Sequence, residues 1–109
     1  MNAIQTIGLF VVAGLAELSG AYLIWQWIRA DKPAFWGLVG LIALLVYAVT
    51  QTFQAFSFGR AFAAYGGIFI TLALLWGWLV DRRVPDRWDW LGVGLCLAGA
   101  AAILWGPRR

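Results

Sequence analysis

One residue of this chain combines reactive chemistry with an unusual place. Glu17 lies in the middle of a long apolar run from Ile4 to Ile28. An acidic side chain at the centre of a membrane-spanning helix costs about 3 kcal/mol on insertion scales, and such residues are functional candidates by default. No Lys, Arg or His lies within any apolar run to pair with it. Hydrocarbon works against the charged form, so a proton and a cation compete for one carboxyl and can be exchanged for each other. The residues three, four and seven positions away are Phe10, Ala13, Gly14, Gly20, Ala21 and Ile24. Four of these are small, which leaves a groove beside the carboxyl for another helix or a ligand. Ser19, Tyr22, Tyr47, Thr50, Tyr65 and Thr71 offer hydroxyls to such a pocket. The plainer alternative is a neutral Glu17 that hydrogen-bonds across a helix interface as structural glue.

Other chemistries find little support. The chain has no histidine, and Cys96 is its single cysteine, so disulfides, zinc sites and Cys/His nucleophile pairs are excluded. No metal or cofactor is expected. Glu17 has no identifiable nucleophile or second acid beside it, which makes an enzyme the least favoured class. The net charge of +3 comes from residues in short connections and at the C-terminus. That is where membrane proteins keep basic residues for topology and headgroup contact, and it does not argue for nucleic acid.

The elements that must position Glu17 follow from composition. The chain is 63% apolar and 12% charged over 109 residues, against about half and about a quarter in soluble domains. No soluble fold of this size hides that much apolar surface, so the solvent for most of it is lipid. About 20 residues of helix cross the roughly 30 Å hydrocarbon core. Four segments qualify, at about 4–28, 34–53, 61–80 and 88–105. They must be helices, since lipid leaves no other way to satisfy the backbone and four short spans cannot make a barrel. The expected fold is a single all-α domain of four transmembrane helices with short loops. Met1 to Thr6 carries no positive side chain and no small-residue cleavage site follows, so the first run is expected to remain as a helix.

Tryptophans support these limits, because indoles prefer the headgroup level. Trp25, Trp27, Trp36, Trp76, Trp78, Trp88 and Trp90 fall at helix ends facing the first and third connections, and only Trp105 lies opposite. Five basic residues (Arg29, Lys32, Arg82, Arg83, Arg87) on that face against three (Arg60, Arg108, Arg109) on the other favour both termini outside. The small bias leaves dual insertion open.

Packing signals are weaker. Tyr65-Gly66-Gly67 is a hinge, a site of close backbone approach, or plain helix packing. Gly92, Cys96 and Gly99 follow i, i+4, i+7, with Gly94, Ala98 and Ala102 as a parallel small row, which suggests tight helix association between protomers or within one. Four helices enclose little beyond their own side chains, so a solute path calls for a homodimer. Two copies of Glu17 would then lie near each other.

Gly14-Leu-Ala-Glu17-Leu-Ser-Gly20 with Trp25-Gln-Trp27, Gly59-Arg60-Ala-Phe-Ala-Ala-Tyr65-Gly66-Gly67, and Asp89-Trp90 before a glycine-rich fourth helix resemble the YnfA family. These are small bacterial inner-membrane proteins, distantly similar to the small multidrug resistance exporters. The resemblance covers essentially the whole chain and implies a proton-coupled exporter working as a dimer. It implies that Glu17 binds proton and substrate alternately, that Tyr65 matches the exporters' third-helix tyrosine, and that the fourth helix is a dimerisation helix. It also implies periplasmic termini, in agreement with the charge count. Ile68 stands where those exporters carry a tryptophan, and their lysine after the first-helix glutamate has no counterpart before Arg29. The missing aromatic wall argues against broad aromatic-cation transport.

The leading expectation is a proton-coupled transporter of a small cationic or polar-organic solute, with Glu17 and Tyr65 at the binding site and Gly14, Tyr22, Tyr47 and Thr71 around the pocket. The alternatives are a small ion channel, for which an acid at mid-membrane favours cations over anions, and a non-transporting helical subunit of another membrane complex.

Overall fold

Why the helices begin and end where they do is visible in their caps. The computed structural model describes residues 1–108; Arg109, counted above among the terminal charges, lies outside them. The described residues fold into α1 (Ala3–Arg29), α2 (Ala34–Gln51), α3 (Phe58–Leu79) and α4 (Arg87–Trp105). α1 is opened by a reciprocal capping box between Asn2 and Gln5, and α4 by the same device between Asp86 and Asp89. α1 and α3 both end with a left-handed residue, Asp31 at φ 55° and Arg82 at φ 58°. Lys32 N–H then donates to Gln26 C=O at 3.3 Å, and Arg83 N–H to Gly77 C=O at 3.0 Å. Each amide folds back over the last turn of its helix, and both reversals lie on the tryptophan-rich face.

The bounds differ from the sequence expectation in two places. α3 starts at Phe58, so Arg60 sits in its first turn instead of ahead of it. α2 stops at Gln51, because the following amides close shorter turns, Thr52 N–H to Val49 C=O and Phe53 N–H to Thr50 C=O. With 18 residues in α2 and 27 in α1, the helices are from about 27 to about 40 Å long at 1.5 Å per residue. All four are apolar and long enough to cross a membrane. The chain is an all-α, multi-pass membrane protein.

Backbones approach in the order α2, α1, α3, α4, with α1 along α2, α3 along α4, and α1 against α3. The result is a row of helices with extents of 53 × 34 × 20 Å. Glycine sets the close seams. A Cβ on Gly20 would lie 2.7 Å from Gly40 C=O, and one on Gly40 2.6 Å from Gly20 C=O, so α1 and α2 touch backbone to backbone. The same seam presses the Trp27 ring onto Gly37. On α3, a Cβ at Gly67 would lie 2.5 Å from Cys96 C=O and 2.9 Å from Ala100 Cβ of α4, whereas Gly66 meets nothing. α3 runs unbroken through both glycines, and Gly67 alone makes a close backbone approach.

The core draws on three helices: Phe10 and Ala13 of α1, Ala64 and Tyr65 of α3, and Ala100 and Leu104 of α4, with Tyr47 of α2 packed against it. Most other large apolar side chains point outward, Ile4, Leu45, Leu79 and Leu95 among them. They face lipid.

Candidate functional site

Tyr65 and Glu17 meet at mid-membrane. Tyr65 Oη donates to Glu17 Oε1 at 2.8 Å, joining α3 to α1. The approach depends on Gly14, one turn before Glu17, where a Cβ would press on Leu72 and lie 3.7 Å from Tyr65 Oη. The ring itself is held by four others. Phe10, Tyr47, Phe62 and Phe69 lie with centroids 5.9, 5.7, 6.2 and 5.6 Å from it, in tilted or edge-on contacts. Tyr65 is 4% exposed, while Glu17 is half-buried. The carboxyl is therefore oriented through Oε1, and no side-chain hydrogen bond reaches Oε2 among the described residues. The basic residues of the helices sit at their ends, Arg29, Arg60 and Arg87. An acid tethered by one phenol, with a second oxygen unengaged, can accept a proton or a cation.

The other hydroxyls expected near this pocket divide. Tyr47 lies beside Tyr65 and belongs to the cluster. Thr71 donates to Gly67 C=O at 3.1 Å, Ser19 to Ala16 C=O at 3.2 Å and Thr50 to Val46 C=O at 2.7 Å, so these three are turned onto their own helices. Each finds its acceptor one turn back, the usual retreat of a hydroxyl in a helix surrounded by lipid. Tyr22 pairs edge-on with Trp76 at 5.5 Å, toward the tryptophan-rich face. The groove at Gly20 is filled by α2. Cys96 lies on the seam with α3, while a Cβ at Gly92 or Gly99 would meet nothing within 4 Å.

Sequence reasoning passed over Phe62 and Phe69, although their places three before and four after Tyr65 put them on its helical face. It also passed over a cleft of about 320 Å³ near the chain termini, lined by Gln51, Gln54, Phe56, Phe58 and Phe62 among others. Gln51 is 8% exposed, and neither polar atom of its side chain has a partner among the described residues. Gln54 Nε2 reaches Thr6 C=O at 3.1 Å and ties this end of α2 to α1.

A family model described as "Uncharacterised BCR, YnfA/UPF0060 family" matches residues 3–109. The chain belongs to the YnfA/UPF0060 family. It is similar to the UPF0060 membrane protein YfjF of Bacillus subtilis strain 168, 58% identical over 104 residues that cover 94% of this chain and 95% of that one. A Bacillus licheniformis UPF0060 membrane protein is likewise 58% identical, over 103 residues covering 94% and 95%. One from Synechocystis is 50% identical over 99 residues, covering 91% and 92%. No solved structure matches the chain. The membership agrees with the resemblance drawn from Glu17, the Arg60–Gly67 stretch and Asp89-Trp90.

Proposed function

We propose that this protein is a proton-coupled secondary transporter that exports a small cationic or polar-organic solute, and that Glu17 binds proton and solute in turn. The observation that supports this most is the hydrogen bond of 2.8 Å from Tyr65 to Glu17. The carboxyl is aimed by a clamped phenol, and no side chain among the described residues engages Oε2, which leaves that oxygen for a ligand. Loss of the proton leaves an anion in a low-dielectric setting, where a solute cation repays the cost of the exposed charge. Binding of one species then expels the other.

The working form in this reading is a homodimer. Glu17 lies in a row of helices only 20 Å deep, so a solute path across the membrane needs walls from a second copy. The exposed small residues Gly94, Ala98 and Ala102 of α4 suit that contact. Placement in a bacterial inner membrane with both termini periplasmic is part of the same proposal and rests on the basic residues near Trp25, Trp36 and Trp88. No catalytic role is assigned to any residue.

The test is proton release on adding candidate cations to the purified protein in detergent, with Glu17→Gln as control. Release that vanishes in Glu17→Gln, in a variant that still folds, supports the exchange. Absence of release with every cation between pH 6 and pH 9 turns the reading toward a subunit of another membrane complex. Flux through vesicles that ignores the proton gradient and exceeds alternating-access rates turns it toward a channel.

A further inference from the structure

A second feature lies one turn beyond Glu17, toward the tryptophan-rich face. Between α1 and the end of α3 is a cleft of about 340 Å³ lined by Leu18, Ala21, Tyr22, Trp25, Gln26, Trp76 and Asp81. Three of these residues are aromatic and one is a carboxylate; none is basic. Tyr22 and Trp25 are three apart and share a face of α1, while Trp76 stands across from them with its ring edge-on to Tyr22 at 5.5 Å. Asp81 is folded back over the end of its own helix. A Cβ on Gly77 would lie 3.9 Å from Asp81 Oδ2, and the left-handed turn at Arg82 keeps the chain in that reversal.

This set of groups has a definite recognition chemistry. Aromatic faces attract weakly hydrated cations, above all alkylated ammonium groups, and a carboxylate at the rim supplies the opposite charge. Indole faces on this surface already receive cations: Arg29 lies 4.9 Å from the Trp25 ring, Lys32 5.3 Å from Trp36 and Arg87 5.4 Å from Trp88. Arg29 lies over Trp25 from the neighbouring groove, which shares Ala21 and Trp25 with this cleft, and is not itself among the groups that line the cleft. At the other end of the molecule the cleft beside Ser57 is lined by Arg60 and Arg108, a charge that repels the same ligand.

We propose that the Tyr22–Trp25–Trp76–Asp81 cleft is a binding site for an alkylammonium head group, separate from the Glu17 site. Two sources carry this chemistry, a free organic cation and the ethanolamine head of a membrane lipid. The site does not depend on Glu17 carrying a proton. A free cation held between Tyr22 and Trp25 would stand between about 7.5 and about 12 Å along α1 from Glu17.

The experiment is equilibrium dialysis of radiolabelled tetramethylammonium against the full chain in lipid-free detergent, with helix content followed by circular dichroism. With the Glu17 site removed by Glu17→Gln, saturable binding is expected to remain, and to weaken roughly tenfold or more when Trp76→Leu or Asp81→Asn is added to that background. Asp81→Asn is a surface change that spares the core, so it keeps the test valid where Trp76→Leu fails to fold. Displacement by a short-chain phosphatidylethanolamine and not by the matching phosphatidylglycerol identifies lipid as a ligand; a lack of displacement assigns the site to free cations. No saturable binding, or binding lost in Glu17→Gln and intact in Asp81→Asn, overturns the proposal. Proton release at Glu17 is a separate readout and can succeed or fail independently.

Discussion

Tyr65 Oη lies 2.8 Å from Glu17 Oε1, a contact between α3 and α1 across 48 residues of chain. The phenol is the only part of Tyr65 that the contact needs, since its ring is held by Phe10, Tyr47, Phe62 and Phe69. Tyr65→Phe therefore removes the tether and keeps the packing. Unfolding in mixed detergent should show a loss of between about 0.6 and about 2 kcal/mol, the range for an interhelical hydrogen bond to an ionisable group. Cation-induced proton release should fall well beyond what that small loss accounts for. Release at the wild-type level from Tyr65→Phe would remove the phenol from the proposed mechanism.

Gly66 and Gly67 are adjacent and their substitutions should have opposite consequences. Gly67→Ala drives a methyl into Cys96 C=O and Ala100, backbone and Cβ that cannot swing aside, at 2.5 and 2.9 Å. Separating α3 from α4 to relieve this should cost about 1–3 kcal/mol. Gly66→Ala meets nothing within 4 Å and should be neutral or gain up to about 1 kcal/mol from helix propensity. Denaturant titration of the two variants side by side reads the contrast; equal losses would mean that the α3–α4 seam is not as described.

The same logic applies to α1 and α2. Gly40→Ala puts a Cβ 2.6 Å from Gly20 C=O, with Leu23 and Ile24 closing the sides. The pair should open and lose about 1–3 kcal/mol. Because Glu17 is on the same helix, the shift should also weaken proton release, measured on whatever fraction still folds. A folded Gly40→Ala protein with unchanged stability would contradict the backbone contact.

Much of this arrangement was legible before any coordinates. Length and hydropathy placed four helices to within a few residues, because lipid admits no other spanning structure for such segments. Glu17 was legible because an acid in hydrocarbon is costly, and Tyr65 because of the Arg60–Gly67 resemblance. Partner choice between helices was not. Gly20 presents the same small surface to a ligand or to a helix, and only the matching Gly40 on α2 decides for the helix. Thr71, Ser19 and Thr50 offered hydroxyls to a pocket, but each satisfies itself on its own helix at no cost in chain order. Gln51 carried no periodic signal, since a glutamine at a helix end is ordinarily a solvated group.

Arg82 tests the turn after α3. Its φ of 58° costs an L-residue with a Cβ about 1 kcal/mol that glycine avoids. Arg82→Gly should be more stable than Arg82→Ala by about 1 kcal/mol. Both variants lose the same positive charge, so the difference isolates the backbone from any effect on topology. Thermal unfolding in detergent gives the comparison. Equal stability would show that the left-handed turn is not under steric load.

In the single chain a Cβ at Gly94 or Gly99 meets nothing within 4 Å, so a leucine there fits the protomer and changes only what can approach α4 from outside. If a second copy packs on that flank, Gly94→Leu and Gly99→Leu should lower the crosslinked or sedimenting dimer fraction. Helix content should be kept, and monomer stability should be unchanged or rise by up to about 1 kcal/mol from helix propensity. Proton release should fall with the dimer fraction if both copies form the solute path. An unchanged dimer in both variants would move the interface off α4, and a dimer lost with proton release intact would show that one protomer carries the Glu17 site alone.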